Sequence, residues 1–154
     1  CAGFSILHLR VGQRELGIAE RTHFLGNRSD VERVYADLDT LALTSRNEGT
    51  PVALIEAMAV GIPIVATDVG GVREVLGGYP LAKLVPDRSP ESFATALRAW
   101  VRERICRTDG RLHAERFSAE RLLREIEQIY EEMLADHSAA PLRDEIGEEA
   151  ERAA

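Results

Sequence analysis

Nearly continuous short apolar runs alternate along this chain with stretches whose apolar residues recur every three or four positions. The runs Phe4–Leu9, Thr22–Leu25, Thr40–Thr44, Pro63–Thr67 and Ala82–Val85 lack strict alternation, as strands covered on both faces do. Between them, Gln13–Ala19, Ser29–Leu38, Pro51–Val60 and Val72–Leu76 read as helices. Ser29 is the expected N-cap of the second, followed by the acids Asp30 and Glu32. This order predicts an α/β fold, a doubly wound parallel sheet with flanking helices. Ligands of such sheets bind beyond the carboxyl ends of the strands. After Pro90 the pattern is helical, over Pro90–Cys106 and Ser118–Ala135. The second of these carries the stripe Leu122, Ile126, Ile129, Tyr130 and Met133, which is expected to pack into the core. The polar, acidic stretch 138–154 reads as a tail behind one domain, 1–137.

Composition narrows the class. The net charge of −7 comes with no basic stripe, which argues against a nucleic-acid partner. No apolar segment approaches the roughly 20 residues that span a bilayer, and no secretory signal is visible. Cys1 and Cys106 lie far apart, so a reducing, cytoplasmic setting is expected. His8, His23, His113 and His137 show no metal-ligand spacing, so no metal is expected. The start at Cys1 rather than methionine is expected of a truncated chain or a fragment of a longer one.

Glu56 changes the picture most. It is the one charge in Pro51–Gly61, which reads as a helix buried on all sides, with a first-turn proline and a closing glycine. A carboxylate there is costly unless it is paired or hydrogen-bonded. Arg73 is a candidate partner if its role is structural. Glu48 stands eight residues earlier, in the loop Ser45-Arg46-Asn47-Glu48-Gly49-Thr50. Gly49 leaves room for close approach of a ligand. The amides around Thr50 and Val52 open a helix start that favours an anion, and Pro51 has no amide to waste there. Two hydroxyl-accepting acids beside an anion site suit a ligand bearing both phosphates and sugar hydroxyls, as a nucleotide sugar does.

The same segment carries a resemblance. Glu48-Gly49-Thr50-Pro51, then Glu56-Ala57-Met58-Ala59-Val60-Gly61-Ile62-Pro63-Ile64-Val65-Ala66-Thr67-Asp68-Val69-Gly70-Gly71, resembles the hallmark of retaining group 1 (family 4) GT-B glycosyltransferases. Thr22-His23-Phe24-Leu25-Gly26 and Phe117-Ser118-Ala119-Glu120-Arg121 extend the likeness over about Gly17–Leu134. It implies a Rossmann-like half of a GT-B fold that binds a UDP- or GDP-sugar and needs no cofactor.

The resemblance gives Glu56 the ribose hydroxyls and Glu48, as catalytic residue, the donor sugar. It gives Gly49, Thr50, Pro51 and Val52 the sugar and diphosphate, with Ser45 a weaker phosphate-side candidate. Asn27 and Arg28 would meet the base. Gly70 and Gly71 would serve a tight turn, with Glu74 supporting the next helix. The acceptor would need a missing N-terminal domain, through which any membrane association would also run.

There are departures from the family pattern. Leu9-Arg10-Val11-Gly12-Gln13-Arg14 replaces a Gly-Asp-Gly-Pro element, and Pro51 replaces an aromatic residue. The Arg and Lys that neutralise the leaving diphosphate are not found. The fragment alone is therefore expected to be inactive. The rival readings are a non-catalytic binding module and a GT-B nucleotide-sugar 2-epimerase or phosphorylase.

Overall fold

A computed structural model describes residues 6–103 and 105–139. They fall into two compact units, Cys1–Val34 and Tyr35–Ala154. In the first, α1 (Ile6–Glu15) is followed by a 3-10 turn at Ala19–Arg21. The expected strand Phe4–Leu9 is thus helical from Ile6 onward. Leu, Arg, Gln and Glu are strong helix formers, and a helix satisfies its backbone internally. Thr22–Leu25 likewise forms no strand, because no described strand of this unit lies beside it. The expected helix Gln13–Ala19 breaks after Glu15, where Gly17 takes φ +67°. Helix α2 (Val31–Asp37) runs from this unit into the next, with Asp30 rather than Ser29 in the position before it.

The second unit holds a parallel sheet of β1 (Leu41–Leu43), β2 (Ile64–Thr67) and β3 (Ala82–Val85), in the order β1-β2-β3. Leu41 pairs with Ile64, and Ile64 with Ala82. β2 is the central strand and is buried throughout, so period 2 sends its side chains into two cores. Ile64 and Ala66 join α3 (Val52–Val60) and α4 (Val72–Leu76) on one face. Val65 joins Val85 with Phe93 and Trp100 of α5 (Pro90–Glu103) on the other. The Trp100 indole N–H donates to the Ile64 carbonyl at 3.3 Å, and Lys83 caps its ring at 4.0 Å. Helices on both faces of a parallel sheet make the expected Rossmann-like arrangement.

A short helix unforeseen in the sequence, α6 (Arg111–Glu115), packs on α3. Its N-cap Gly110 is obligatory, since a Cβ there would stand 1.8 Å from the Met58 carbonyl oxygen.

Helix α3 is not buried on all sides. Leu54, Ala57 and Met58 are fully buried, whereas Val52 is 61% exposed and Glu56 half-buried. Pro51 takes the N-cap in an extended conformation rather than a first-turn place. Gly61 ends the helix at φ +79°, with Ile62 N–H donating to Ala57 O at 3.0 Å, the Schellman arrangement.

Helix α7 (Ala119–Ala139) overturns the expectation of core packing: Leu122, Ile126, Ile129, Tyr130 and Met133 are all exposed. Nothing among the described residues covers the stripe. The helix runs to Ala139, past the expected tail boundary at Ser138; most of that tail lies outside the described residues.

Candidate functional site

The loop from Thr44 to Pro51 leaves the carboxyl end of β1 and enters α3. Its shape is held by β2 and the turn that follows. The Thr67 hydroxyl, on a side chain 4% exposed, donates to the Ser45 carbonyl at 2.7 Å. Gly71 N–H donates to the Glu48 carbonyl at 3.1 Å.

Gly70 and Gly71 do more than turn the chain. A Cβ on Gly70 would come within 1.9 Å of Glu48 O, and one on Gly71 within 2.1 Å of Gly49 O. Two adjacent glycines therefore form the bed on which the Glu48–Gly49 backbone lies. The space beside Gly49 is open, with no atom within 4 Å of where a Cβ would be. Glu74 sits in the first turn of α4, as expected.

Ser45, Glu48, Gly49, Thr50, Pro51 and Val52 thus share one short segment at the strand end. Val52 and Glu56 stand i, i+4 on α3 and so share a helix face. Glu48 is half-buried, with Gly49 and Thr50 exposed.

The Glu56 carboxylate does not pair with Arg73, which binds Asp68 instead. The Tyr35 hydroxyl of α2 comes to the same turn of α3 and donates to the Ala53 carbonyl at 3.3 Å. Burial first, then the hydrogen bond and negative charge of Glu56, push the Tyr35 phenol up to about 12, so it stays protonated. Sequence reasoning missed Tyr35 because only the tertiary fold brings α2 to α3.

Asn27 and Arg28 belong to the first unit and are exposed there; Arg28 donates to Asp30 at 2.9 Å. An open cavity of about 410 Å³, lined by Leu84, Val85, Glu91, Ser92 and Thr95 among others, lies along β3 and α5 and includes no candidate residue. Among the described residues no cluster of His, Cys, Asp or Glu could hold a metal, and no helix is long and apolar enough to cross a membrane.

Residues 6–103 match the family model for glycosyl transferases group 1. The chain belongs to this family. Among curated relatives of this glycosyltransferase chain, the D-inositol 3-phosphate glycosyltransferase of Saccharomonospora viridis is 37% identical over 128 residues, 79% of the chain and 30% of the relative. That of Mycolicibacterium gilvum is 36% identical over 130 residues, 81% of the chain and 29% of the relative. The glycosyltransferase chain therefore spans about 30% of the length of these relatives.

Among solved structures, sucrose-phosphate synthase of Thermosynechococcus elongatus superposes with TM-score 0.73 at 23% identity, over 85% of this chain and 35% of that one. HepE of Anabaena, in complex with UDP, gives 0.67 at 25% identity, over 85% of this chain and 36% of that one. The sheet with its helices is accordingly a Rossmann-like half of a GT-B fold.

Proposed function

We propose that this glycosyltransferase chain is the donor-binding part of a retaining enzyme that transfers sugar from a UDP- or GDP-sugar to an acceptor. The observation that carries the reading is the loop after β1. It sets Glu48, the open space at Gly49 and the start of α3 in sequence, with Glu56 one turn further on. The Glu56 carboxylate accepts hydrogen bonds from the ribose hydroxyls. The first amides of α3, at Val52 and Ala53, face the diphosphate, where the helix dipole favours negative charge. Glu48 lies on the sugar side, and Ser45 near the phosphates. The UDP in the HepE structure supports a nucleoside diphosphate as the ligand.

Catalysis on this reading is positioning together with stabilisation of the departing diphosphate at the helix start. The acceptor attacks the anomeric carbon on the face the diphosphate leaves. Neither step requires a metal or a cofactor. The acceptor contacts and the cations that neutralise the leaving group belong to the remainder of such an enzyme, so the chain alone binds donor without transferring it.

Calorimetric titration with UDP, GDP, ADP and the matching monophosphates tests the reading. One diphosphate is expected to bind, and Glu56→Ala to weaken it roughly 10- to 100-fold, the worth of hydrogen bonds to a charged group. Binding indifferent to Glu56→Ala overturns the ribose assignment. Transfer by the chain alone overturns the division of labour.

A further inference from the structure

We propose that Thr67 is a positioning residue: its buried hydroxyl fixes the segment from Ser45 to Glu48 and thereby sets how tightly the site takes the diphosphate end of a nucleotide. This rests on the donor-site reading of the loop after β1.

The segment is held at both ends by the strand and turn beneath it. At one end the Thr67 hydroxyl donates to the Ser45 carbonyl at 2.7 Å. At the other, the Glu48 carbonyl accepts from Gly71 N–H at 3.1 Å and leaves no room for a Cβ on Gly70. Arg46 and Asn47 between them are exposed. Of these two anchoring donors, the first is a side chain and the second is backbone. Thr67 is therefore the one that a substitution can remove.

The hydroxyl is itself well placed. Thr67 ends the central strand, in register with Val85 of β3, and Asp68 N–H donates to the Val85 carbonyl at 3.0 Å. A β-branched side chain has few χ1 options, and a hydroxyl has one proton to give. The Leu43 carbonyl, 3.4 Å away, lies beyond the ordinary range for an O–H···O bond, so the proton goes to Ser45.

The ribose side of the site has other supports. Glu56 stands on α3, which Leu54, Ala57 and Met58 lock into the core. The end of α2 beside it is pinned by the Arg107 guanidinium, which donates to the carbonyls of Tyr35, Ala36 and Leu38 at 3.2, 2.5 and 2.8 Å. Exchanging the Thr67 hydroxyl for a methyl group thus frees the Ser45 end of the segment while α3 keeps its place. The ligand must then order the segment, at a cost in affinity. That cost falls on the phosphate side, where Ser45 lies, and spares the ribose.

The test compares wild type, Thr67→Val and Thr67→Ser in calorimetric titrations with UDP and GDP, each beside its monophosphate. Thr67→Val is expected to weaken the diphosphate that binds roughly three- to tenfold, consistent with one net hydrogen bond, and to leave its monophosphate unchanged. Thr67→Ser keeps the hydroxyl and is expected to restore the wild-type affinity. Thr67→Ala, which removes the hydroxyl without adding a methyl group, replaces Thr67→Val if that variant does not fold.

Equal weakening of diphosphate and monophosphate by a folded variant, or no weakening, overturns the positioning role while the donor-site reading stands. A loss that Thr67→Ser does not restore overturns it as well, because the hydroxyl is then not its cause. If Thr67→Val and Thr67→Ala both fail to fold, the hydroxyl serves the fold and the positioning role is overturned. If wild type binds neither UDP nor GDP, the donor-site reading has failed and the positioning role fails with it.

Discussion

Helix α3 brings Leu54, Ala57 and Met58 to 0% exposure within nine residues, whereas α7 leaves every described side chain from Ala119 to Asp136 exposed along its twenty-one. The two helices stand on different supports. A nine-residue helix is marginal in water, so α3 exists because β2, α4 and α6 pack around it. Helix α7 is long, rich in Glu, Arg and Leu, and tied along its own surface by Arg121–Glu125 at 2.7 Å and Gln128–Glu132 at 2.8 Å. A periodic stripe thus tells which face would be buried without telling that anything buries it. The helix nearest the candidate site is rigid for tertiary reasons, which suits a carboxylate that must keep its place.

The largest expected effect separates the two directly. Leu54→Ala removes a fully buried side chain and should cost about 2–5 kcal/mol in urea unfolding. Leu122→Ala, on a side chain 57% exposed, should cost under about 0.5 kcal/mol. Comparable losses in the two variants would break the comparison and show α7 to be covered.

Next in size is the glycine bed beneath the site. Gly70→Ala meets the Glu48 carbonyl at 1.9 Å from a backbone already at φ +51°, so it should cost about 1–3 kcal/mol and weaken nucleotide binding as well. Gly49→Ala meets nothing within 4 Å. It should leave the melting temperature nearly unchanged and lower affinity only. A Gly49→Ala variant that binds nucleotide as wild type does would remove the ligand from that space.

How much could be read from the sequence follows the same division. The segment from Leu41 to Val85 was legible almost to the residue, since β2, β3 and α4 lie where apolar runs and glycines put them. Strands buried on both faces and helices wedged between them leave a composition that little else produces. Glu48 and Glu56 were legible as an oddity, two acids around an apolar helix. Tyr35, Thr67 and Arg107 were not, because each acts through a contact with residues 18 to 72 positions away along the chain. In the first unit, Phe4–Leu9 and Thr22–Leu25 were misread as strands: short apolar runs fit either state, and only a neighbouring strand would have decided it. Asp87 was also invisible. It accepts bonds from Ser92 Oγ and Ser89 N–H at 2.6 and 3.1 Å, which lower its pKa, while Ser89 Oγ caps α5.

Alkaline pH gives a subtler comparison, confined to the packed side. Burial raises the Tyr79 phenol to about 12, and Tyr35 is raised to about 12 by burial and Glu56. Folded values above the unfolded value of 10 mean that the native state holds these protons more tightly. Their contribution is complete below pH 10 and is lost as pH rises from 10 toward 12. The urea midpoint should therefore fall across that window, and Tyr35→Phe should flatten part of the fall. A midpoint that is level through the window would mean that neither phenol is held as the packing implies.

The smallest effect is the most diagnostic for the site. An arginine near an isolated acid invites pairing, and Arg73 was the available partner for Glu56; the fold gives it to Asp68 instead, with its own side chain 69% exposed. Arg73→Ala should then cost at most about 1 kcal/mol, and Arg121→Ala in the exposed pair of α7 should cost about 0.5 kcal/mol or less. Since Arg73 pairs with Asp68, nucleotide affinity should be untouched by Arg73→Ala. If that substitution weakens UDP as much as Glu56→Ala does, the carboxylate depends on the arginine's charge after all. The candidate site would then depend on a surface pair that salt can screen, and its affinity would fall as ionic strength rises.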